Sequence, residues 1–119
     1  MPTTTKPQQI DHTVEKHARE ISKENSPDSP VVQALERQVG NAFVLYANYK
    51  HYHWQTYGPL FRDLHKLFDE LAREVFATLD ELAERVRMIG QNPPAHLCQV
   101  ADCASVQQAG AHGTMRDMV

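Results

Sequence analysis

The chain has 119 residues, 41% hydrophobic and 23% charged, with five glycines and a net charge of −3 at pH 7 when histidine is neutral. That is the length of one domain and the balance of a globular chain, which excludes a solvated acidic tail and a strongly basic nucleic-acid arm. No apolar run is long enough to span a bilayer, and the start Met1-Pro2-Thr3-Thr4-Thr5-Lys6 lacks the apolar stretch of a secretory signal, so a cytoplasmic location is expected.

Residues 1–30 are polar and carry Pro2, Pro7, Pro27 and Pro30, with at most a short helix over Asp11 to Lys23. They read as a flexible arm ahead of a domain over 31–119. A first long helix is expected from Pro30 to Gln55, with Leu35, Val39, Phe43 and Tyr46 on one face, Ala42 and Tyr49 alongside, and His53 near its end. His51, two residues from His53 on a helix, points elsewhere and reads as structural or solvent-exposed, and Trp54 as an aromatic packed beside the site to which His53 belongs. Gly58-Pro59 punctuates the chain, and a second helix is expected from Leu60 to Ile89, with proline near its first turn and Gly90 just past its end, where each residue is favoured. At about 100° per residue, Leu64, Leu67, Phe68, Leu71, Val75, Leu79, Leu82, Val86 and Ile89 share one broad apolar face. Gln91-Asn92-Pro93-Pro94 then breaks the helix, and residues 95–112 read as a linker with a short helix around Val100 to Gln108. Cys98 and Cys103, in that linker beside His96, lack the spacing of a zinc site and read as two reduced thiols. Thr114 to Val119 looks like the start of another helix.

The chemistry lies on the second helix. His65, Asp69, Asp80 and Glu84 form a stripe beside the apolar face, interleaved with Ala72, Phe76 and Ala83, which suits a second, close helix contact. The rise of the helix puts Asp69 and Asp80 about 16 Å apart along the axis, and His65 and Glu84 about 28 Å apart, so one chain cannot bring them to one metal. An antiparallel copy related by a twofold axis near the middle of the stripe sets His65 and Asp69 of one subunit against Asp80 and Glu84 of the other, giving two identical sites per dimer. With His53 arriving from the preceding helix, the donors are nitrogen-poor and oxygen-rich, a set suited to iron and poor for structural zinc. Singly, each of the five has an ordinary reading as a solvated helix face or a satisfied histidine. Together, at this spacing, they point to a metal.

The elements Tyr52-His53-Trp54, Gly58-Pro59-x-Phe61, Leu64-His65-x-x-Phe68-Asp69 and Asp80-Glu81-x-Ala83-Glu84-Arg85 occur in this order between Asn41 and Gly90, and in them the chain resembles the Dps mini-ferritins, the DNA-binding proteins from starved cells. The resemblance implies an all-α, ferritin-like four-helix bundle, of which this sequence carries the two N-terminal long helices and a linker; it is expected to be incomplete at its C-terminus. It also implies an intersubunit ferroxidase centre, with His53, His65 and Asp69 from one chain and Asp80 and Glu84 from the other, in a homo-oligomer that closes as a dodecamer. Exposed Glu70 and Glu74 would then line the hollow interior of the shell. The Glu-x-x-His pair of larger ferritins is absent from the sequence, which favours the mini-ferritin branch.

The expected function is therefore oxidation of ferrous iron by hydrogen peroxide or oxygen and storage of ferric mineral, with iron as the metal and zinc a possible substitute at the same ligands. The alternative is a nucleoid protein that shields DNA, with iron secondary. Against it, residues 1–30 hold Lys6, Lys16, Arg19 and Lys23 against Asp11, Glu15, Glu20, Glu24 and Asp28, so the arm is net negative and DNA binding at neutral pH is not expected.

Overall fold

The computed structural model describes residues 16, 17, 19, 20, 26–110 and 115–118, so most of the expected arm lies outside the described residues; Lys16, His17, Arg19 and Glu20 are helical. Among the described residues there is no strand. The helices are α1 (Pro30–Gln55), α2 (Phe61–Met88), α3 (Leu97–Cys103) and α4 (Met115–Met118), the last falling where the sequence reads as a helix start. None is long and apolar enough to cross a membrane.

α1 begins with Pro30 in its first turn behind Ser29, whose carbonyl accepts the first helical bond, from the Gln33 amide at 3.0 Å. Thr56 follows Gln55 in extended backbone and ends the helix. The chain reverses through 56–60, where Gly58 sits at φ 82°, a left-handed conformation that suits glycine. α2 carries Asp63 in its first turn and Arg85 and Arg87 in its last, each matched to the partial charge of that helix end. It stops at Gly90, φ 92°, where the amides of Gly90 and Gln91 bond back to the carbonyls of Arg87 and Val86 at 3.0 and 3.2 Å, closing a Schellman turn.

The short reversal makes α1 and α2 an antiparallel hairpin. Its core is Val39, Ala42, Leu79 and Val86, with Leu35, Phe43, Val75, Leu82 and Ala83 packed around them. Fully burying a side chain such as Val39 or Val86 contributes about 1.5–3 kcal/mol. Farther along, Tyr49 and Tyr52 pack on the buried Phe68, with ring centroids 6.4 and 5.6 Å apart.

The buried face of α2 is rotated from the expected one. Ala72, expected in the ligand stripe, is fully buried, whereas Leu67, expected in the core, is 41% exposed. The small side chain of Ala72 suits the line where α2 lies against α1, while Leu67 falls on a side that α1 does not reach.

The linker also differs from expectation. Its helix spans Leu97–Cys103 rather than Val100 to Gln108, so Cys98 and Cys103 are helical, both as free thiols. Residues 104–110 form neither helix nor strand, and side chains of α1 take their backbone bonds. Asn41 Oδ1 accepts from the amides of Ser105 and Val106 at 2.7 and 3.0 Å. Asn48 donates to the Gln107 carbonyl and accepts from the Ala109 amide, both at 2.9 Å. His51 Nε2 donates to the Gly110 carbonyl at 3.2 Å, which gives this half-buried histidine its structural role. α3 packs on α1 at Gly40, where a Cβ would lie 2.8 Å from the Val100 carbonyl oxygen and 2.9 Å from the Ala104 nitrogen. Burial and the carboxylates of Glu36 and Asp102 push the Cys103 thiol up, so it stays protonated at neutral pH.

Candidate metal centre

The hairpin turn brings the last turn of α1 against the first turns of α2, and with them His53 against His65. Their rings stack with centroids 3.7 Å apart and planes 19° from parallel. His53 Nδ1 lies 2.6 Å from the His65 carbonyl oxygen, and His65 Nδ1 lies 2.7 Å from the His53 carbonyl oxygen. A carbonyl oxygen only accepts, so each Nδ1 carries the proton. Each Nε2, outside those bonds, is the ring nitrogen left to take a metal. Phe61 stacks on the His65 ring at 4.9 Å, and the Thr56 hydroxyl, in a side chain only 6% exposed, donates to the His53 carbonyl at 3.0 Å.

Asp69, one turn along α2 from His65, has both oxygens engaged. Oδ1 accepts from Lys50 Nζ at 2.7 Å and Oδ2 from Arg73 Nη2 at 2.6 Å. The Lys50 hydrogen bond, helped by the charges of Arg73, Lys50 and His53 and opposed by partial burial, holds the carboxyl below the usual aspartate range. It is therefore an anion at neutral pH. Neither cation was singled out from sequence. Arg73 carries only the ordinary signal of an i,i+4 pair, and Lys50 faces Asp69 only after the hairpin closes.

Asp80 and Glu84 are exposed, farther along the same helix, about 16 and 22 Å along the axis from Asp69. His53, His65 and Asp69 thus gather at one end, and Asp80 and Glu84 do not join them within the chain. Among the described residues no three His, Cys, Asp or Glu side chains converge to hold a metal. Asp63, Glu70, Glu74 and Glu81 are exposed. Trp54 is 72% exposed within the single chain.

Residues 32–119 match the family model described as a ferritin-like domain. The DNA protection during starvation protein of Brevibacillus brevis is 40% identical over 89 residues, covering 75% of this chain and 60% of that one. The X-ray structure of Dps from Thermosynechococcus elongatus superposes with a TM-score of 0.72 at 42% identity, over 86% of this chain and 61% of that one. The chain belongs to the Dps family of ferritin-like proteins. Dps from Listeria innocua, in a crystal soaked with 10 mM zinc, is a further neighbour, with a TM-score of 0.68 at 33% identity over 73% of this chain and 59% of that one.

This Dps-family chain thus spans about 60% of the length of these three relatives, as part of a four-helix bundle. The uncovered apolar surface agrees with that. A groove of about 600 Å³ is lined by Phe43, Val44, Trp54, Phe76, Leu97 and Val100, among others. Phe76 and Leu97 in it are 55% and 82% exposed. Large apolar side chains left bare together mark a surface built to be covered.

Proposed function

We propose that the chain is the ferroxidase-bearing part of an iron-storage and detoxification protein. Two ferrous ions bind between twofold-related subunits, held by His53, His65 and Asp69 of one and by Asp80 and Glu84 of the other. Each ferrous ion gives up one electron, and the O–O bond of hydrogen peroxide takes the two and is cleaved; oxygen is the other candidate oxidant. The ferric product is stored as mineral in a dodecameric, cytoplasmic shell.

The observation that carries this reading is the His53–His65 clasp. Two imidazoles are stacked with each Nδ1 donating to the other residue's carbonyl, which leaves each Nε2 out of those bonds, beside a carboxylate kept anionic. Asp80 and Glu84 are exposed on the same helix, at a distance that only a second, antiparallel copy can close. Imidazole holds the ferrous ion, and the carboxylates favour the harder ferric product. Zinc takes the same donors and outranks ferrous iron at a given site, so it is the expected competitor; the Listeria innocua relative was soaked with that ion.

The family's DNA-protection name supplies the second reading, a nucleoid protein with iron secondary. The net negative arm opposes it, because sequence-independent DNA affinity comes from phosphate neutralisation by Lys and Arg.

The test mixes subunits. A chain with His65→Ala and Asp69→Ala and a chain with Asp80→Ala and Glu84→Ala should each fail to oxidise ferrous iron. A heterodimer of the two keeps one intact site and should recover activity. No recovery, with heterodimers verified by mass, would overturn the shared site. An anaerobic ferrous titration followed by peroxide, with optical detection of the ferric product, shows whether peroxide serves as oxidant.

A further inference from the structure

Bare apolar side chains lie on both sides of α2. With Ala72, which is buried against α1, as the reference, helical period puts Phe76 about 40° to one side and Leu67 about 140° to the other. They are 55% and 41% exposed, and no single covering element reaches both. The Phe76 side is the one that carries the stripe, since His65, Asp69, Asp80 and Glu84 fall between about 20° and 120° on it. It is also the side of the groove. Phe76 forms the α2 wall, Phe43 and Trp54 come from α1, and Leu97 and Val100 from α3.

We propose that this groove is the apolar half of the contact with a second, antiparallel copy, so that α3, which carries no ligand, takes part in assembling the metal site; this rests on the twofold reading given above. Phe76 ties the groove to the axis. The midpoint of Asp69 and Asp80, and equally of His65 and Glu84, falls between Glu74 and Val75, and Phe76 is about 2 Å from it along the helix. A twofold axis there sets the Phe76 rings of the two copies beside each other, and the groove behind each ring opens onto the same contact.

Charge selects the same arrangement. On that side of α2 the exposed Arg62, Lys66 and Arg73 lie in the first half, and the exposed Asp80 and Glu84 in the second. An antiparallel copy puts Lys66 of one opposite Glu84 of the other and brings Arg73 within a turn of Asp80, whereas a parallel copy sets like charges together. Arg87, a cation in the second half, is bonded to Asn92 of its own chain at 2.9 Å. α3 meanwhile presents its wall as a fixed element. Its backbone lies on Gly40, and Asn41 and Asn48 hold the segment that follows, yet Leu97 is 82% exposed. A leucine held out on a docked helix, beside the bare Trp54 and Phe76, has its burial supplied from outside the chain.

The test puts a charge into the groove. Leu97→Glu changes an exposed side chain that is no ligand, so helix content by circular dichroism should hold. Met88→Glu, on α2 about 160° from Ala72 and 65% exposed, is the charge control. Sedimentation equilibrium of the metal-free chain over a concentration series is the first readout. The wild type and Met88→Glu should run at an even multiple of the chain mass. Leu97→Glu should show a dissociation constant raised about tenfold or more, because a charge without a partner then enters an apolar contact. Cobalt(II) uptake, followed by visible absorption, should fall with dissociation in Leu97→Glu and return as protein concentration is raised. If Leu97→Glu loses helix content, Leu97→Ser is read in the same way. A wild type that stays monomeric, or an unchanged mass in the folded Leu97 variant, overturns the proposal. Dissociation of Leu97→Glu from a wild-type dimer that takes up no cobalt supports the groove contact and counts against the metal reading instead.

Discussion

Asp69 is held by a cation on each oxygen, and that sets its response to pH. Its carboxyl titrates below the usual aspartate range in the folded protein, so the Lys50 and Arg73 contacts contribute stability above the ordinary value, near pH 4. That contribution is lost as pH falls through the lower folded value. Lys50→Met removes the largest cause. The metal-free variant should be less stable than wild type at pH 7, and the gap should shrink below pH 4 as Asp69 is protonated; urea unfolding from pH 2 to 7 measures it. A gap that persists at the lowest pH would mean that Lys50 acts through packing of its stem. The exposed Asp80 and Glu84 predict differently. Asp80→Ala or Glu84→Ala removes an anion and touches no core contact, so helix content should hold while ferrous oxidation slows by more than the 10–100-fold typical of losing an outer-shell partner. Stopped-flow absorbance and far-UV circular dichroism measure the two sides of that statement.

At the level of elements, the docking of α3 on α1 depends on one missing methyl group. Gly40 lies in the middle of a helix, where alanine would gain about 1 kcal/mol of propensity. A Cβ there would meet the backbone of α3, with the Val100 oxygen at 2.8 Å and the Ala104 nitrogen at 2.9 Å, so α3 must move. Gly40→Ala should therefore destabilise the protein despite its better propensity, with faster amide exchange across residues 97–110 and little change in α1 and α2. Unchanged exchange in that segment would show that α3 accommodates the methyl group. Asn41 and Asn48 tie residues 105–109 to α1, so the same experiment reads the strap and the short helix together.

For the molecule as a whole, charge separates the two functional readings. The net charge is −3, and residues 1–30 hold four Lys and Arg against five Asp and Glu. Few counterions can be released on contact with duplex DNA, so affinity at physiological salt should be no better than about 10⁻⁴ M. Acidification adds positive charge through the seven histidines of the sequence, so retarded DNA should appear only at acidic pH and vanish with modest salt. Gel shifts at pH 8 and pH 6 over a salt series measure this. Retardation at pH 8 in physiological salt would promote the nucleoid reading.

The boundaries of α1 and α2 were legible in the sequence because they rest on local chemistry. Pro30 starts α1, and Gly58-Pro59 and Gly90 bracket α2, each through its own backbone conformation. The candidate stripe was legible for the same reason, since His65, Asp69, Asp80 and Glu84 fall together by helical period alone. What only the tertiary structure decided depends on which residues meet across the hairpin. Ala72 rather than Leu67 lies buried, because the face of a helix that is covered is set by its partner and not by its own periodicity. Lys50 reaches Asp69, and Thr56 reaches the carbonyl and ring that tie His53 to His65, only after α1 and α2 fold back on each other. Gly40 gives no sign in the sequence of the backbone that will lie against it. Local patterns name the candidate residues; long-range contacts set which of them meet and, at Asp69, the charge.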